Sequence, residues 1–389
     1  MNDTTTAADP AQDQRVEDQR LEDQQLDDQR FMQLALSLAR RGLGNTWPNP
    51  AVGAVLVKDG VVIGRGWTQP GGRPHAETEA LKRAGRGKAR GATLYTTLEP
   101  CSHQGQTPPC VDALISAGVA RVVSAMEDPN PQVAGQGHAK LRERNIAVEI
   151  GVGAQEAQRI NAGHVRRIVD HRPHVLLKLA VSSDEKIAAA GGRRVEITGE
   201  EARERVFMLR AMSDAILVGR GTVIADDPVL TCRLPGMEKR SPVRVVLNAK
   251  LNIPLASAVI GTAHDVPAWV IGDAAASQIA EDVLRGKGAE VIRVPAQDGL
   301  FDIGAVLRLL AERGVTRLMV EGGAAVATSL LNADLIDEVI LLRGGKPIGE
   351  DGVPPLRGLP LTALTQAPRF KSLGSEKLGD DTLEHWVRG

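Results

Sequence analysis

The order of apolar and polar residues predicts alternating helices and strands from about residue 30 to the end of the chain. Apolar residues recur at helical spacing between Phe31 and Ala39, and Gly42 follows them as a stop. Residues 52–57 form an apolar run that Lys-Asp-Gly at 58–60 separates from a second run, which predicts a β-hairpin. Further strands are predicted at residues 92–97, 121–125, 148–152, 175–181, 215–219, 243–247, 268–271, 317–320 and 338–342. Such alternation is typical of α/β layer domains, so the predicted fold class is α/β.

This pattern divides the chain into four segments. Residues 1–29 are rich in Asp, Gln, Glu and Arg, and their apolar residues recur every five positions, which matches neither a helix nor a strand. They are predicted to be a disordered acidic tail, with a partner-binding helix as the alternative. Residues 30–153 are predicted to form one α/β domain, residues 154–172 a linking helix, and residues 173–389 a second α/β domain. A chain of 389 residues is long enough for two domains.

Composition narrows the classes of function. The formal net charge is -1 and the pI is about 6.7, so the overall charge favours neither nucleic acid nor an anionic membrane as a partner. Only 2% of residues are aromatic, which leaves few side chains for stacking on bases. No apolar run approaches the roughly 18 residues of a membrane span, and the acidic N-terminus lacks the apolar region of a signal peptide. Three cysteines indicate a reducing compartment with thiols used for metal, so the expected location is cytoplasmic.

One constellation indicates specific chemistry: His75 and Glu77, followed by Cys101 and Cys110. One imidazole and two thiolates give a zinc ion three protein ligands and leave one position open, which is the layout of a catalytic site. The metal lowers the pKa of water in that position toward about 7, and Glu77 is placed to carry its proton to a leaving amine. His-x-Glu with Pro-Cys and a second Cys is the signature of zinc deaminases that act on nucleobase-like rings. The alternative is that the two cysteines are buried core thiols and His75 a surface residue.

Two strand ends in the second half carry glycine turns that open helices, at residues 219–222 and 321–324. Such junctions present backbone N–H groups at a helix N-terminus and can hold a phosphate group. Each is a weak signal, because glycine at a strand end is commonly just a turn. No G-x-G-x-x-G follows a predicted strand, so an ordinary Rossmann dinucleotide site is not indicated.

Several of these segments resemble the bifunctional deaminase/reductase family of riboflavin biosynthesis. In the first half, the matching segments are Thr-Trp-Pro-Asn-Pro-Ala-Val-Gly at 46–53, His-Ala-Glu at 75–77, residues 97–110, and Asp-Pro-Asn-Pro-Gln-Val-Ala-Gly at 128–135. The eight residues between the two cysteines are that family's own spacing. In the second half, the matching segments are residues 197–198, 219–222, 225–228, 230–234 and 320–323. The resemblance covers nearly all of the chain from about Arg30.

The resemblance implies two consecutive reactions on a small molecule, a phosphoribosylaminopyrimidine. A cytidine-deaminase-like three-layer domain would remove the 2-amino group of 2,5-diamino-6-(phosphoribosylamino)pyrimidin-4-one by zinc-dependent hydrolysis. A dihydrofolate-reductase-like α/β domain would then reduce the ribosyl group to a ribityl chain with NADPH. One zinc ion per chain would be bound by His75, Cys101 and Cys110, with Glu77 as the catalytic proton carrier. Asn49 would hydrogen-bond the pyrimidine ring, or it would only cap its turn.

In the second half, the resemblance assigns residues to substrate and cofactor. Lys178 and Glu321 would be catalytic and contact the reacting sugar, where Lys178 would stabilise the charge developing on an oxygen. The substrate would be bound by Asn49, Arg194, Arg210, Leu230, Arg233 and Glu321. NADPH would be bound by Val181, Glu196, Thr222, Asp226, Ala249 and Gly323. Cys232 is expected to be an inert core thiol.

The second half also departs from the family pattern, which leaves a second hypothesis open. Glu185 stands where the family usually has glycine, and Asn248 where it has aspartate. Arg194 and Glu196 stand where it has serine and tryptophan, and residues 342–345 replace the usual Ala-Pro-Lys. The alternative is therefore an active deaminase joined to a domain that no longer reduces, and a nucleic-acid-editing deaminase is a third hypothesis. The family implies a homo-oligomer, a dimer or a tetramer, without nucleic-acid or membrane partners.

Overall fold

The computed structural model describes residues 10–366 and 368–389, with side chains from residue 18 onward, and it divides into two compact units. The first unit comprises the chain up to Gly42 together with Pro50–Asn161. The second unit comprises Leu43–Asn49 and Ala162–Gly389. The division after Asn161 falls inside the segment that the sequence predicted to be a linker.

The first unit is a five-stranded sheet between two layers of helices. Its elements are α1 Pro10–Ala39, β1 Gly53–Lys58, β2 Val61–Trp67, α2 Ala76–Ala84, β3 Thr93–Thr96, α3 Cys110–Ala117, β4 Arg121–Ser124, α4 Gln136–Arg142, β5 Ala147–Ile150 and α5 Ala154–Ile160. The strand order is β2-β1-β3-β4-β5, antiparallel among β2, β1 and β3 and parallel from β3 to β5. Ala54 and Leu56 of β1 share a core with α2, α3 and α4, whereas Gly53 of the same strand faces α1.

A glycine in β2 lets α2 approach the sheet closely. A Cβ at Gly66 would lie 2.1 Å from the carbonyl oxygen of Ala76 and 2.6 Å from the nitrogen of Ala80. No side chain fits in that space, so only glycine permits this approach of backbone to backbone. The first turn of α2 therefore packs directly on β2, and this turn contains Glu77, with His75 immediately before it.

The prediction of a disordered tail is wrong for the part of residues 1–29 that the structure describes. α1 continues without a break through this segment, and within it Asp28 is 2% exposed. The Asp28 carboxylate accepts two hydrogen bonds of 2.7 Å from Arg121 on β4 and one of 2.8 Å from the Tyr95 hydroxyl on β3. This paired carboxylate anchors the helix to the sheet, and a polar anchor leaves no trace in apolar periodicity. Residues 1–9 of the predicted tail lie outside the described residues.

The second unit is built on a nine-stranded mixed sheet. Its elements are α6 Ala162–Val169, β6 His174–Val181, α7 Glu200–Ala211, β7 Ala215–Gly219, α8 Arg220–Asp226, β8 Val243–Leu247, α9 Ala258–Gly261, β9 Ala268–Asp273, α10 Gln278–Gly286, β10 Glu290–Val294, β11 Ala296–Gln297, β12 Leu300–Phe301, α11 Ile303–Glu312, β13 Arg317–Val320, α12 Ala324–Asn332, β14 Glu338–Arg343, β15 Phe370–Leu378 and β16 Asp381–Arg388. The strand order is β10-β9-β8-β7-β13-β6-β14-β16-β15. The strands from β10 to β14 are parallel, β16 is antiparallel to both of its neighbours β14 and β15, and β11 pairs separately with β12. No helix in the described part of the chain is long and apolar enough to span a membrane.

Strand β6 has apolar side chains on one face of the sheet and a charged side chain, together with apolar ones, on the other. Val175, Leu177 and Leu179 are at most 3% exposed and belong to the main core. Successive residues of a strand point to opposite faces of the sheet. Lys178 therefore lies on the other face, as does Leu176, which packs in a smaller core with α7.

The predicted linking helix is two helices. α5 ends at Ile160, and Asn161 has the non-helical dihedral angles φ -92° and ψ 12°. Gly163 in α6 packs so closely that a Cβ there would lie 2.6 Å from the carbonyl oxygen of Thr316. One non-helical residue between two helices leaves no gap in the apolar pattern, so periodicity does not reveal the break.

Candidate active sites

The structure brings the three predicted zinc ligands and Glu77 together where helices begin. His75 is the residue immediately before α2, and Glu77 is the second residue of that helix. Cys101 lies in the loop after β3, and Cys110 is the first residue of α3. A helix N-terminus carries partial positive charge, which favours the thiolate form of cysteine.

The spacing of these ligand atoms fits a zinc ion. Nδ1 of His75 lies 3.3 Å from Sγ of Cys110 and 3.6 Å from Sγ of Cys101. Tetrahedral zinc with ligand distances of about 2.0–2.3 Å separates neighbouring ligand atoms by about 3.5–3.8 Å. Within residues 18–366 and 368–389, this is the one group of three or more His, Cys, Asp or Glu side chains close enough to hold a metal ion. The donor set and its spacing therefore both match zinc bound through Nδ1 of the imidazole.

Glu77 lies against the same centre. Its side chain is buried, and its Oε2 lies 3.6 Å from Sγ of Cys110. Burial raises the pKa of Glu77 to about 7, and the charge of Cys101 acts in the same direction. A carboxyl group with a pKa near neutrality can both take up and release a proton at pH 7, as general acid–base catalysis requires.

Glu99 stabilises the loop that contains Cys101, a role that sequence reasoning did not indicate. Glu99 is buried, and its carboxylate accepts hydrogen bonds of 3.0, 2.9 and 2.7 Å from the backbone N–H groups of Asp128, Gly135 and Gly137. It thereby holds residues 128–137 against the loop that contains Cys101. The family-like Glu-Pro-Cys sequence was the signal that could have identified it.

Arg73 is a second supporting residue that sequence reasoning missed. Its Nη1 donates a hydrogen bond of 2.6 Å to the hydroxyl of Thr107, which lies in the segment between the two cysteines. This bond ties that segment to the residues just before His75. An arginine two positions from a ligand has no motif of its own, so nothing in the sequence distinguished it.

Asn49 belongs to the short segment Leu43–Asn49, which groups with the second unit. Its backbone N–H donates to the carbonyl oxygen of Thr46 at 3.1 Å, and the Thr46 hydroxyl donates to the carbonyl oxygen of Asn49 at 3.1 Å. Both bonds use the backbone of Asn49 to close a turn. The predicted contact of its side chain with a pyrimidine ring stays a prediction.

A second group of predicted residues lines one cavity of about 380 Å³ in the second unit. Lys178 comes from β6, Thr222 from α8 just after β7, and Glu321 and Gly323 from the turn after β13. The backbone N–H of Gly323 donates to the Thr222 hydroxyl at 3.1 Å, which joins the two predicted glycine turns. In open α/β sheets, ligands bind at the carboxyl ends of parallel strands where the strand order reverses. β7 and β13 lie at such a reversal.

A buried ion network lies inside this cavity. Glu321 accepts hydrogen bonds of 2.7 and 3.0 Å from Nε and Nη2 of Arg210, and Nζ of Lys178 lies 3.9 Å from Oε2 of Glu321. Burial lowers the pKa of Lys178 although Glu321 opposes the shift. Burial by itself would raise the pKa of Glu321. The charges of Arg210 and Lys178 have a larger, opposite effect, so the pKa of Glu321 lies below its usual value. The carboxylate is thus held ionised beside an ammonium group that gives up its proton more readily than an ordinary lysine.

Most of the other predicted reductase residues line the same cavity, with two exceptions. The further lining residues among the predictions are Arg194, Glu196, Asp226, Leu230 and Arg233. Val181 is fully buried in the main core, because it points to the sheet face opposite Lys178. Ala249 follows β8 and accepts a hydrogen bond from the backbone of Asp273, away from the lining. Neither residue lines the cavity, so their contacts with NADPH stay predictions.

Two family models match the chain, one in each half. Residues 25–126 match the model described as the cytidine and deoxycytidylate deaminase zinc-binding region, and residues 173–383 match the RibD C-terminal domain. The first match includes all three ligands of the zinc-fitting centre. Fold and sites together define the class: a two-domain enzyme with a zinc deaminase domain followed by a reductase domain.

Curated relatives match almost the whole chain. The riboflavin biosynthesis protein RibD of Escherichia coli (strain K12) is 40% identical over 370 residues, which are 92% of this chain and 98% of that protein. RibD of Aquifex aeolicus (strain VF5) is 41% identical over 358 residues, again 92% of this chain and 98% of that protein. The chain belongs to the RibD family of bifunctional riboflavin biosynthesis proteins.

Solved structures agree with this assignment. RibD of Acinetobacter baumannii, form 2, has a TM-score of 0.82 and 36% identity, and the match covers 94% of this chain and 100% of that one. The diaminohydroxyphosphoribosylaminopyrimidine deaminase/5-amino-6-(5-phosphoribosylamino)uracil reductase of Thermotoga maritima has a TM-score of 0.81 and 34% identity over the same shares. The predicted family, the fold class of two α/β domains, and zinc and NADPH as cofactors are confirmed.

Proposed function

We propose that this chain catalyses two consecutive steps of riboflavin biosynthesis on one phosphoribosylaminopyrimidine. The first is hydrolytic deamination of 2,5-diamino-6-(phosphoribosylamino)pyrimidin-4-one, and the second is NADPH-dependent reduction of its ribosyl group to a ribityl chain. The observation that carries the proposal is the presence in one chain of a zinc-fitting centre beside the buried Glu77 and of a cavity built on Lys178, Glu321 and Arg210. The Thermotoga maritima relative carries both activities in its name.

In the deaminase site, His75, Cys101 and Cys110 would hold the zinc ion. When bound, zinc would supply the Lewis-acid activation of the attacking water. Glu77 accepts the proton of that water and delivers it to the departing nitrogen. A carbon–oxygen bond forms, the carbon–nitrogen bond breaks, and ammonia leaves. The position of Glu77 beside Cys110 supports this role, because it places the carboxylate next to the metal position.

In the reductase site, Lys178 acts on the ring oxygen of the sugar. When bound, NADPH would supply a hydride to C1′, the carbon that bears the amino nitrogen, so that a carbon–hydrogen bond forms as the bond from C1′ to the ring oxygen breaks. The ammonium of Lys178 stabilises the negative charge that develops on the oxygen and can donate its proton. Glu321, fixed by Arg210 at 2.7 Å, holds this ammonium in place and contacts the sugar. The helix N-termini that carry Thr222 and Gly323 are suited to the phosphates of the cofactor.

Contacts around the departures from the family pattern favour a working reductase over a degenerate one. Glu185 has a φ of 61°, a value suited to glycine, and its carboxylate accepts a hydrogen bond of 3.2 Å from Arg343. Arg343 itself lies in the segment that replaces Ala-Pro-Lys, so two departures compensate each other. Glu196 forms an ion pair with Arg203, which offsets the negative charge that would oppose the phosphates of NADPH.

The proposal also includes assembly and location. We expect a homo-oligomer, a dimer or a tetramer, in the cytoplasm, acting on a small molecule and not on nucleic acid. The free thiols of Cys101, Cys110 and Cys232 support a reducing compartment. Light scattering on the purified protein measures the assembly directly, and a monomeric mass would contradict it.

A mass-spectrometric assay of the zinc-loaded protein with the pyrimidine substrate tests the proposed function. Without NADPH, the expected product is the deaminated phosphoribosylaminouracil alone. With NADPH added, it is converted to the ribityl compound. Arrest at the deaminated product in both reactions would favour the alternative of a non-reducing second domain, and absence of any deaminated product would refute the proposal.

A further inference from the structure

The reductase cavity is lined by basic side chains, among them four arginines, and by the carboxyl groups of Glu196, Asp226, Asp227 and Glu321. Its lining includes Arg194, Arg203, Arg210 and Arg233. Arg210 is paired with Glu321 and Arg203 with Glu196. Arg194 lies close enough to Asp226 for its charge to lower the pKa of that carboxyl group, although burial raises it overall. Three of the four arginines thus have an acidic neighbour.

Arg233 is held differently. Within the described part of the chain it has no ion pair, and its guanidinium carbon lies 4.8 Å from the centroid of the Phe207 ring. The same ring lies 5.6 Å from the guanidinium carbon of Arg210. Phe207 is on α7 and is only 9% exposed, because it packs with Ala211 and Cys232. The ring is therefore a fixed surface on which a more exposed arginine rests.

The aromatic contact compensates for repulsion without using hydrogen-bond donors. Burial and the like charges of Arg210, Arg203 and Arg194 lower the pKa of Arg233. The guanidinium cation is therefore less stable at this position than in water. The negative face of an aromatic ring attracts a guanidinium. A carboxylate partner would also do so, but it would occupy N–H groups of the fork. On Phe207, all five donors of Arg233 remain available to an anion.

We propose that Phe207 is a positioning residue of the reductase, whose ring face holds Arg233 at the cavity with its donors free to receive the phosphate group of the substrate. A planar fork and a phosphate dianion form paired, charge-assisted hydrogen bonds. The identity of the ligand rests on the proposed function. The contact between Phe207 and Arg233 rests on the geometry of the cavity alone.

A double-mutant cycle tests this inference. Phe207→Met keeps apolar volume without a ring face, and Phe207→Tyr keeps the ring. We expect Phe207→Met to raise the KM for the deaminated, phosphorylated intermediate about two- to fivefold, the range of an exposed cation–π contact, with kcat unchanged. Inhibition by inorganic phosphate should weaken by the same factor. Phe207→Tyr should retain the wild-type KM. In an Arg233→Met background, Phe207→Met should not raise the KM any further.

Matched controls separate positioning from general damage. Met208→Leu alters the neighbouring residue of α7, which does not line this cavity, and should leave every constant unchanged. The inference would be overturned if Phe207→Met raised the KM for the intermediate no more than Met208→Leu does. It would also be overturned if Phe207→Met raised that KM by the same factor in the wild-type and Arg233→Met backgrounds. A rise in the KM for NADPH instead of the substrate would also overturn it, since Arg233 would then bind a cofactor phosphate.

Failure of the proposed function would be visible separately. If the wild-type protein does not reduce the intermediate, the proposed reaction is wrong. Binding of inorganic phosphate, measured by calorimetry, then still tests the contact between Phe207 and Arg233. Equal phosphate affinity in the wild type and in Arg233→Met would refute the phosphate role, and the melting temperature checks that each variant is folded.

Discussion

The zinc centre and the reductase cavity differ in how their chemistry is distributed along the chain. Four side chains of the first site lie between His75 and Cys110 and belong to two helix starts and one loop. The lining of the second site extends from Lys178 to Gly323 and comes from several strands, helices and turns. Metal ligation restricts both residue type and spacing, whereas a cavity for a sugar and a dinucleotide restricts shape and charge. The second arrangement leaves more freedom in the identity of each residue.

This difference explains where the chain departs from its family. Around the zinc centre no ligand is replaced. In the second unit, Glu185 is paired with Arg343, and Glu196, which lines the reductase cavity, is paired with Arg203. A replaced residue in a distributed site can be balanced by a neighbour, but a replaced zinc ligand cannot.

Among the substitutions, Glu77→Gln should have the largest effect, and it should affect only the first site. An amide cannot accept the proton of water, so deamination should fall by about 10²–10⁴-fold, while the zinc ligands are untouched. Zinc content by mass spectrometry, deamination and reduction of supplied intermediate are the three readouts. Retained deamination would remove Glu77 from the mechanism, and loss of zinc would show a structural role instead.

Removal of zinc by a chelator should abolish deamination and leave reduction within about twofold. A catalytic site with an open position contributes less to folding than a closed structural one. Circular dichroism before and after chelation checks the fold, and added zinc should restore deamination. Collapse of the first unit on chelation would mean that the metal is structural.

Lys178→Ala should lower reduction by about 10²–10³-fold, the range for loss of a donor to a developing oxyanion. Deamination should not change, because the residue belongs to the second unit. Lys178→Arg is the matched control, since it keeps the charge beside Glu321. Undiminished reduction by the alanine variant would contradict the assigned role.

The pH dependence of reduction should reflect the same residue. Burial lowers the pKa of Lys178, and the facing groups that modify it are Glu321, Arg210 and Asp226. The reaction needs the protonated amine, so kcat for reduction should fall as pH rises through this lowered pKa, below the usual value of about 10.4. The fall should be absent in Lys178→Ala. An unchanged fall in that variant would assign it to another group.

Glu196→Gln should have the smallest effect. Glu196 is exposed and already paired with Arg203, and exposed ion pairs contribute only about 0–1 kcal/mol. The KM for NADPH should therefore fall by less than about fivefold. A larger fall would show an uncompensated negative charge at the cofactor site, and it would support the hypothesis of a degenerate reductase.

The parts of the molecule that were predictable from sequence are those where one physical constraint acts locally. Zinc ligation identified His75, Cys101 and Cys110, and apolar runs identified strands such as β6. Asp28 and Glu99 were missed because their partners are distant backbone and arginine groups, which leave no periodic signal.

The direction of individual side chains was the second property that could not be predicted from the sequence. Val181 was assigned to NADPH by its position in the sequence, but the pleat of β6 turns its side chain to the face opposite Lys178. The resemblance transfers positions along the chain, whereas the direction of a side chain depends on the register of the strand. Phe207 shows the reverse case: its contact with Arg233 follows from packing and has no sequence motif.

The central claim is that one chain carries two independent, consecutive active sites, and complementation tests it most directly. Glu77→Gln and Lys178→Ala proteins are mixed with the pyrimidine substrate and NADPH, and the products are followed by mass spectrometry. Alone, the first should deaminate about 10²–10⁴-fold more slowly than the wild type, and the second should accumulate the deaminated compound because its reduction is about 10²–10³-fold slower. The mixture should form the ribityl compound faster than either variant alone. Formation by the mixture no faster than by one of the variants would contradict the claim, as would formation at the wild-type rate by either variant alone.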